Sequence, residues 1–396
     1  MAEEKQLLMV TDSSRKRLNE EEEEESSNKK GKTSAPHQLP HEIIVEILSR
    51  LPVKTLIRFR CVSKLFKTLI SDAQFIKTHL TNSRNLSRSR LVVLSRGGSA
   101  LSVLKSCPLH SIFDNDALQL HSYSFSSHNH YWLVGSCDGL ICLALKQESV
   151  TVVNPSTRVL HELPYLGFQK KFGSYTVFGF GYDSQNDDYK VVAVFCYQTN
   201  TNTPNRGIGY QTIVEVSSLA SRRWTRIGSF AYGVPYDVSG KYVDGTLNWP
   251  VMYQGDSGLM WDVVSFDLAK ETYKEVMQPD YGELGYDRTL GVFDGWLCVM
   301  CNYRGVRADL WVMKQYGVRE SWVKLVSIPY LDHPGSFWYS VPYGIADNGE
   351  VLMEFNSLVI YNPKDGTFRY PVMGNTDTWG EPETYIETLV SPKVEN

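Results

Sequence analysis

The chain has no uninterrupted run of about 18 apolar residues, the length a helix needs to cross a bilayer, so no helical membrane span is expected. Its first residues are too charged for a secretory apolar core, and export is not expected either. Cysteine is sparse: seven in 396 residues, an odd number without regular spacing, which argues against a disulfide framework and fits reduced thiols in the cytoplasm or nucleus. Catalytic signatures are missing as well. There is no G-x-S-x-G elbow, no H-E-x-x-H and no P-loop. Gly179-x-Gly181 runs into the polar turn Tyr182–Asp188 instead of a helix, so no helix N-terminus is available to hold a phosphate. Cys298 and Cys301 form a Cys-x-x-Cys, but positions three apart in a strand point to opposite faces. His128 and His130 would share a face if extended, without a third ligand nearby, and Asp187-Asp188 sits where Asp favours turn geometry. No catalytic residue, metal or cofactor is therefore expected.

What is present divides unevenly. Hydrophobic residues make up 42% of a chain long enough for more than one domain. Residues 1–38, with six successive glutamates from Glu20 to Glu25, have little to bury and read as a disordered tail. Lys16-Arg17, eleven intervening residues and Lys29-Lys30-Gly31-Lys32 resemble a bipartite nuclear signal, though a solvated charge run accounts for them equally well. Net charge is −4 overall, yet residues 39–90 carry ten Lys/Arg against three Asp/Glu, a net +7 that leaves −11 elsewhere. Those cations lie among the apolar positions of short helices with no groove-reading motif, so nucleic acid is not expected as a partner.

Helical spacing governs residues 39–82. Pro40 stands where a first helical residue can lack its N–H, and Ile43, Ile44, Ile47, Leu48 and Leu51 recur at helical intervals. Pro52 ends that helix; Val53, Leu56 and Phe59 begin a second; Ser63 caps a third carrying Phe66, Leu69 and Ile70; Asp72 caps a further turn. Too few residues are present to bury this apolar surface alone, so a docking partner is implied. The ordered segments LP, EIL, RLPVK, RFRCVSK and TLI resemble an F-box, with Phe66 where that family usually has Trp. The resemblance implies binding to a Skp-type adaptor and, through it, a cullin ubiquitin ligase. The adaptor face would be borne by Leu39, Pro40, Ile43, Ile44, Ile47, Leu48, Leu51, Pro52, Leu56, Phe59 and Phe66.

After a linker at 83–90, residues 91–392 read as strand, turn, strand throughout. Runs such as GLICLAL, YKVVAVF, TIVEV, WLCVM and LVIYN are bounded by Gly, Asn, Asp and Pro. Asp138-Gly139, Asp244-Gly245, Asp294-Gly295 and Asn348-Gly349 mark repeats of roughly fifty residues, the size of propeller blades. VNPSTRVLHELP, FDLAKETYKEV and YNPKDGTFRYP share one pattern of strand, turn and edge strand. The expected fold is all-β and propeller-like, with six blades and the terminal strands closing one of them. With strands a to d in each blade, tight a–b and c–d turns occupy one face and long b–c and d–a loops the other. Those loops, placed at 165–173, 196–211, 229–237, 253–261, 302–308 and 329–340, hold Tyr165, Phe168, Tyr210, Tyr232, Tyr236, Tyr253, Trp261, Tyr303, Arg304, Tyr330, Phe337 and Trp338 as candidates for target binding, about half expected to pack between blades.

SCDGLICL, VNPSTR and GFGYDSQNDDYKVV resemble the F-box-associated, kelch-like domain of the large plant F-box family that includes S-locus-type and defence-regulating members. The resemblance implies a non-catalytic substrate-recognition subunit of an SCF-type ubiquitin ligase in cytoplasm or nucleus, its β-domain holding a target protein whose identity the sequence does not give. An adaptor-bound scaffold without ligase function and a glycan-binding receptor are the alternatives.

Overall fold

The computed structural model describes residues 39–86, 88–96, 102–114, 120–126, 131–199, 209–236, 238–255, 258–282, 286–303, 305–330, 340–355, 357–371 and 379–393. The tail with Lys16, Arg17, Lys29, Lys30 and Lys32 lies outside them, as do His128, His130, Arg304, Phe337 and Trp338. Two compact units, 1–82 and 83–396, make up the chain.

The first unit is helical: α1 (His41–Ser49), α2 (Val53–Phe59), α3 (Lys64–Ser71) and α4 (Ala73–Asn85). Each start is legible in the chain. Pro40 and Pro52 flank α1 and α2 in extended backbone, Ser63 Oγ accepts from the Phe66 N–H at 3.1 Å, and Asp72 Oδ1 accepts from the Phe75 N–H at 3.0 Å. The turn expected after Asp72 is instead a 13-residue helix. His79 Nε2 donates to the Leu51 carbonyl at 2.9 Å and Asn82 Nδ2 to Ser49 Oγ at 2.8 Å, tying α4 to the end of α1. Because α4 reaches Asn85 and the first strand begins at Ser89, the expected 83–90 linker shrinks to 86–88.

The second unit is a ring of six antiparallel sheets. In chain order its strands are β1 (Ser89–Arg96), β2 (Ser102–Pro108), β3 (His121–Ser126), β4 (Tyr131–Cys137), β5 (Leu140–Leu145), β6 (Ser149–Asn154), β7 (Val159–Glu162), β8 (Tyr175–Asp183), β9 (Asp188–Gln198), β10 (Tyr210–Ser218), β11 (Thr225–Gly228), β12 (Val234–Pro235), β13 (Lys241–Val243), β14 (Thr246–Gly255), β15 (Gly258–Asp267), β16 (Thr272–Glu275), β17 (Tyr286–Phe293), β18 (Trp296–Tyr303), β19 (Arg307–Met313), β20 (Trp322–Pro329), β21 (Gly344–Ile345), β22 (Val351–Phe355), β23 (Ser357–Asn362), β24 (Thr367–Arg369) and β25 (Trp379–Ile386). Blade 1 is ordered β25-β1-β2-β3, so the last strand closes the first blade, and blades 2 to 6 follow in sequence. This is the expected six-bladed propeller, its ends paired from Ser89↔Ile386 onward.

Turn chemistry sets the blade period. Asp138-Gly139, Asp244-Gly245 and Asp294-Gly295 all have both residues at positive φ (47° to 79°), the twist a two-residue hairpin needs. The c–d turns reuse another device: Asn154 Oδ1 accepts from the Ser156 and Thr157 N–H groups at 2.8 and 3.1 Å, and Asp267 Oδ1 from Ala269 and Lys270 at 3.0 and 2.9 Å. Arg158 and Glu271 then take φ of 61° and 54°, closing each loop.

Apolar clusters fill the spaces between neighbouring blades, where the inner faces of two sheets meet. Between blades 3 and 4, Trp249 is fully buried, edge-on to Phe230 at 5.6 Å. Gly179 and Gly240 pair as an isolated parallel bridge beside it; a Cβ at either would come within 2.6 or 2.4 Å of the indole. The Gly179-x-Gly181 pair is thus a packing device within β8, which leads through a turn into β9.

Candidate functional site

Three features could serve a function: the apolar strip of the helical unit, the long-connection face of the propeller, and its central cavity. On the helical unit the candidates divide by burial. Leu48, Leu56, Phe59 and Phe66 are buried, the two rings 6.1 Å apart, so they hold the helices and do not form an outward face. Leu39, Pro40, Ile43, Ile47 and Pro52 are exposed, and Ile44 and Leu51 half-buried. Val62 and Leu65, not singled out from the sequence, are exposed as well, Leu65 at 61%. Leu65, one turn before Leu69 and adjacent to Phe66, widens the apolar stripe of α3 beyond what the helix can bury, and that extra width was the signal available.

On the propeller, the two-face argument holds for connectivity. The chain enters β1 at Ser89, at the tight-turn end, whereas the d strands β7, β11, β16 and β20 end, and the a strands that follow them begin, at the other end. The expectation that b–c connections are also long holds in blade 3, where β9 ends at Gln198 and β10 begins at Tyr210, but needs correction in blades 2, 4 and 5. β5–β6 joins through three residues, β18–β19 likewise, and β14–β15 pairs through Gly255↔Gly258. Tyr253 and Trp261 therefore sit in paired strands, opposite Met260 and Met252, because backbone pairing continues where loops were expected. The connection from β2 to β3 in blade 1 leaves and returns at the tight-turn end, and its first residues carry a short 3-10 helix, His110–Ile112.

Several candidate aromatics are structural. Phe168 stacks on Phe195 at 4.7 Å, Tyr210 is half-buried against the blade 3–4 cluster, and Tyr303 is buried with its hydroxyl on the Tyr281 carbonyl at 3.3 Å. Tyr330 donates to Asn302 Oδ1 at 2.7 Å, and Trp261 carries the Arg288 guanidinium 4.4 Å from its ring centroid. Tyr165, Tyr232 and Tyr236 are exposed. Phe172, in the same connection as Tyr165 but not named from the sequence, is 88% exposed. Its setting in Lys170-Lys171-Phe172-Gly173, with no apolar neighbour beside it, was the readable sign.

The central cavity, about 820 Å³, is lined by the innermost strands, with Lys241 of blade 4 and Glu354 and Glu383 among its charged walls. Tyr343 donates to Glu354 Oε2 at 2.9 Å, and burial together with that carboxylate pushes its phenol well above the usual range. Cys298 and Cys301 face different interblade clusters, on opposite faces of β18 as their spacing requires. Burial raises both thiols, Cys301 to about 12, which favours the protonated form over the thiolate that metal binding or nucleophilic attack needs. Among the described residues no cluster of His, Cys, Asp and Glu could hold a metal ion.

The chain thus combines a small helical module that leaves apolar side chains exposed with a six-bladed propeller. Residues 36–78 match the F-box domain and residues 90–382 the F-box associated beta propeller domain, so the chain belongs to the F-box proteins that carry this propeller. It is 33% identical to an F-box/kelch-repeat protein of Arabidopsis thaliana, over 90% of this chain and 97% of that one. It is 32% identical to the F-box protein CPR1 of Arabidopsis thaliana, over 81% and 80% of the two chains.

Proposed function

We propose that this chain is the substrate-recognition subunit of an SCF-type ubiquitin ligase. The F-box docks on a Skp-type adaptor, and through it on a cullin, while the propeller holds a target protein for ubiquitination and degradation. Catalysis resides elsewhere in the assembly: the chain raises the effective concentration of target lysines near the conjugating enzyme. The observation that carries this reading is the exposed strip of Leu39, Ile43, Ile47, Val62 and Leu65 on an F-box unit too small to cover it. The net +7 of residues 39–90 suits an acidic adaptor. Cytoplasm and nucleus are the compartments in which it would act.

The double substitution Ile43→Ser/Ile47→Ser tests this. Both side chains are at least 36% exposed, so the fold should survive, whereas replacing the fully buried Leu48 would confound unfolding with lost docking. Adaptor pull-down by the full chain is expected to fall by about a hundredfold, the loss of a central apolar anchor pair, with an unchanged unfolding temperature. Retained adaptor binding would sink the assignment. Ligase function is separated from a scaffold role by target level: on deletion of this chain a ligase target accumulates, and a scaffold partner does not.

A further inference from the structure

We infer that the propeller grips its target at blade 3, where the 163–174 connection and the segment 229–236, which includes the short strand β12, form a dock for an acidic peptide segment bearing apolar or aromatic side chains; the inference rests on the receptor reading above. The exposed aromatics of the propeller's described connections concentrate there. Phe172 is 88% exposed, Tyr165 72%, Tyr236 61% and Tyr232 42%, against Tyr370 alone, after blade 6, among the other described connections. Such rings cost free energy in water and are the side chains that dominate binding where interfaces form.

Their exposure does not come from loose packing, because both connections are anchored beneath them. Leu163 and Leu166 are buried, and the Leu166 N–H donates to the Glu148 carbonyl at 2.9 Å. Phe168 stacks on Phe195 of β9, and Gly173, at φ 60°, lies so close to Gln198 that a Cβ there would stand 2.8 Å from its side chain. Tyr175 Oη donates to the Pro235 carbonyl at 2.9 Å, fixing the second connection to the base of the first. Tyr232 itself takes φ 64°, a left-handed conformation unfavourable by about 1 kcal/mol for a residue with a Cβ, yet it remains turned to solvent.

Charge selects the partner. Lys171 Nζ lies 3.4 Å from the Tyr197 ring centroid, and Lys170 reaches Glu148 Oε1 at 3.4 Å while its side chain stays 85% exposed, a pair that solvent largely screens. An ammonium carries donors only, so the partner must supply acceptors. Carboxylates alternating with apolar side chains meet both demands, and steer the encounter by charge. A neutral sugar could stack on the rings but would bring no carboxylate to Lys171, whose neighbour is the Tyr197 ring, or to the largely exposed Lys170 ammonium.

The test uses the full chain bound to its adaptor and a fluorescein-labelled peptide of alternating Glu and Tyr, followed by anisotropy at low salt. Binding is expected, weakening about tenfold or more with Phe172→Ala/Tyr236→Ala, similarly with Lys170→Glu/Lys171→Glu, and on raising salt. All four side chains are exposed, so the variants should keep the unfolding temperature and adaptor binding of the original chain. Absence of peptide binding, variants that bind undiminished, a Lys-Tyr peptide binding equally well, or displacement of the peptide by cellohexaose would each overturn the dock. If adaptor binding persists in those cases, the receptor reading stands without it; if the unaltered chain never binds an adaptor, the receptor reading fails first.

Discussion

The helical unit and the propeller treat apolar side chains in opposite ways. In the propeller, strands such as β5, β6 and β9 are buried along most of their length, because each sheet is covered on both faces by its neighbours. In the helical unit, Leu39, Ile43, Ile47, Val62 and Leu65 remain exposed, because four short helices bury too little area among themselves to cover them. A ring of sheets closes on itself and satisfies its own core; a four-helix fragment leaves part of its apolar surface for something else. The propeller exposes rings mainly where d–a connections leave that closed pattern.

The sharpest way to break this comparison is to empty the interblade core. Trp249→Ala should cost about 3–5 kcal/mol, since Gly179 and Gly240 are held against the indole and little can collapse into its place; urea unfolding followed by propeller circular dichroism would measure it. A loss under 1 kcal/mol would mean that the blades are less tightly coupled than the geometry implies. Next is Asn154→Ala. Its Nδ2 donates to the Thr388 and Val390 carbonyls at 3.0 and 2.7 Å while Oδ1 holds the c–d turn, so about 1–3 kcal/mol should be lost, together with faster proteolysis of the C-terminal strand.

A smaller effect is expected from acid. Burial works against ionisation of Asp183, but is outweighed by hydrogen bonds from Asn186, Lys190 and the backbone N–H groups of Asn186 and Gln185, holding its carboxyl below the usual range. Between that lowered value and about 4 the unfolded chain binds more protons, so this stabilisation is complete above about pH 4 and lost as pH falls through the folded value. Asp183→Asn should flatten part of the acid limb of stability against pH; an unchanged limb would remove Asp183 from it. Smallest of all, Leu65→Ser, at a side chain 61% exposed, should shift stability by less than about 0.5 kcal/mol, and a larger change would mean that the strip is packed rather than free.

Local chemistry was readable and long-range packing was not. Ser63 and Asp72 as caps, the Asp-Gly turns and the Asn154 and Asp267 loops need nothing beyond a few neighbouring residues, and all lie where the chain suggests. The length of β14 and β15 could not be read, because pairing past Tyr253 and Trp261 depends on a partner strand. The same limit hid the burial of Tyr303 at the end of β18, which depends on how the neighbouring blade receives the ring, whereas the exposure of Phe172 had a local sign in its polar setting.

Fold class, blade period, the position of the F-box and the absence of familiar catalytic motifs were determined by the sequence itself, since each depends on spacing, composition or turn geometry along the chain. Which connection aromatics pack and which face solvent, which apolar residues of the F-box form its outer strip and which hold its helices, and the register in which β25 pairs with β1 were decided only by the tertiary structure. Burial is a property of what packs against a residue, and in a propeller that packing comes from the blade next door, often fifty or, at the closure, nearly three hundred residues away.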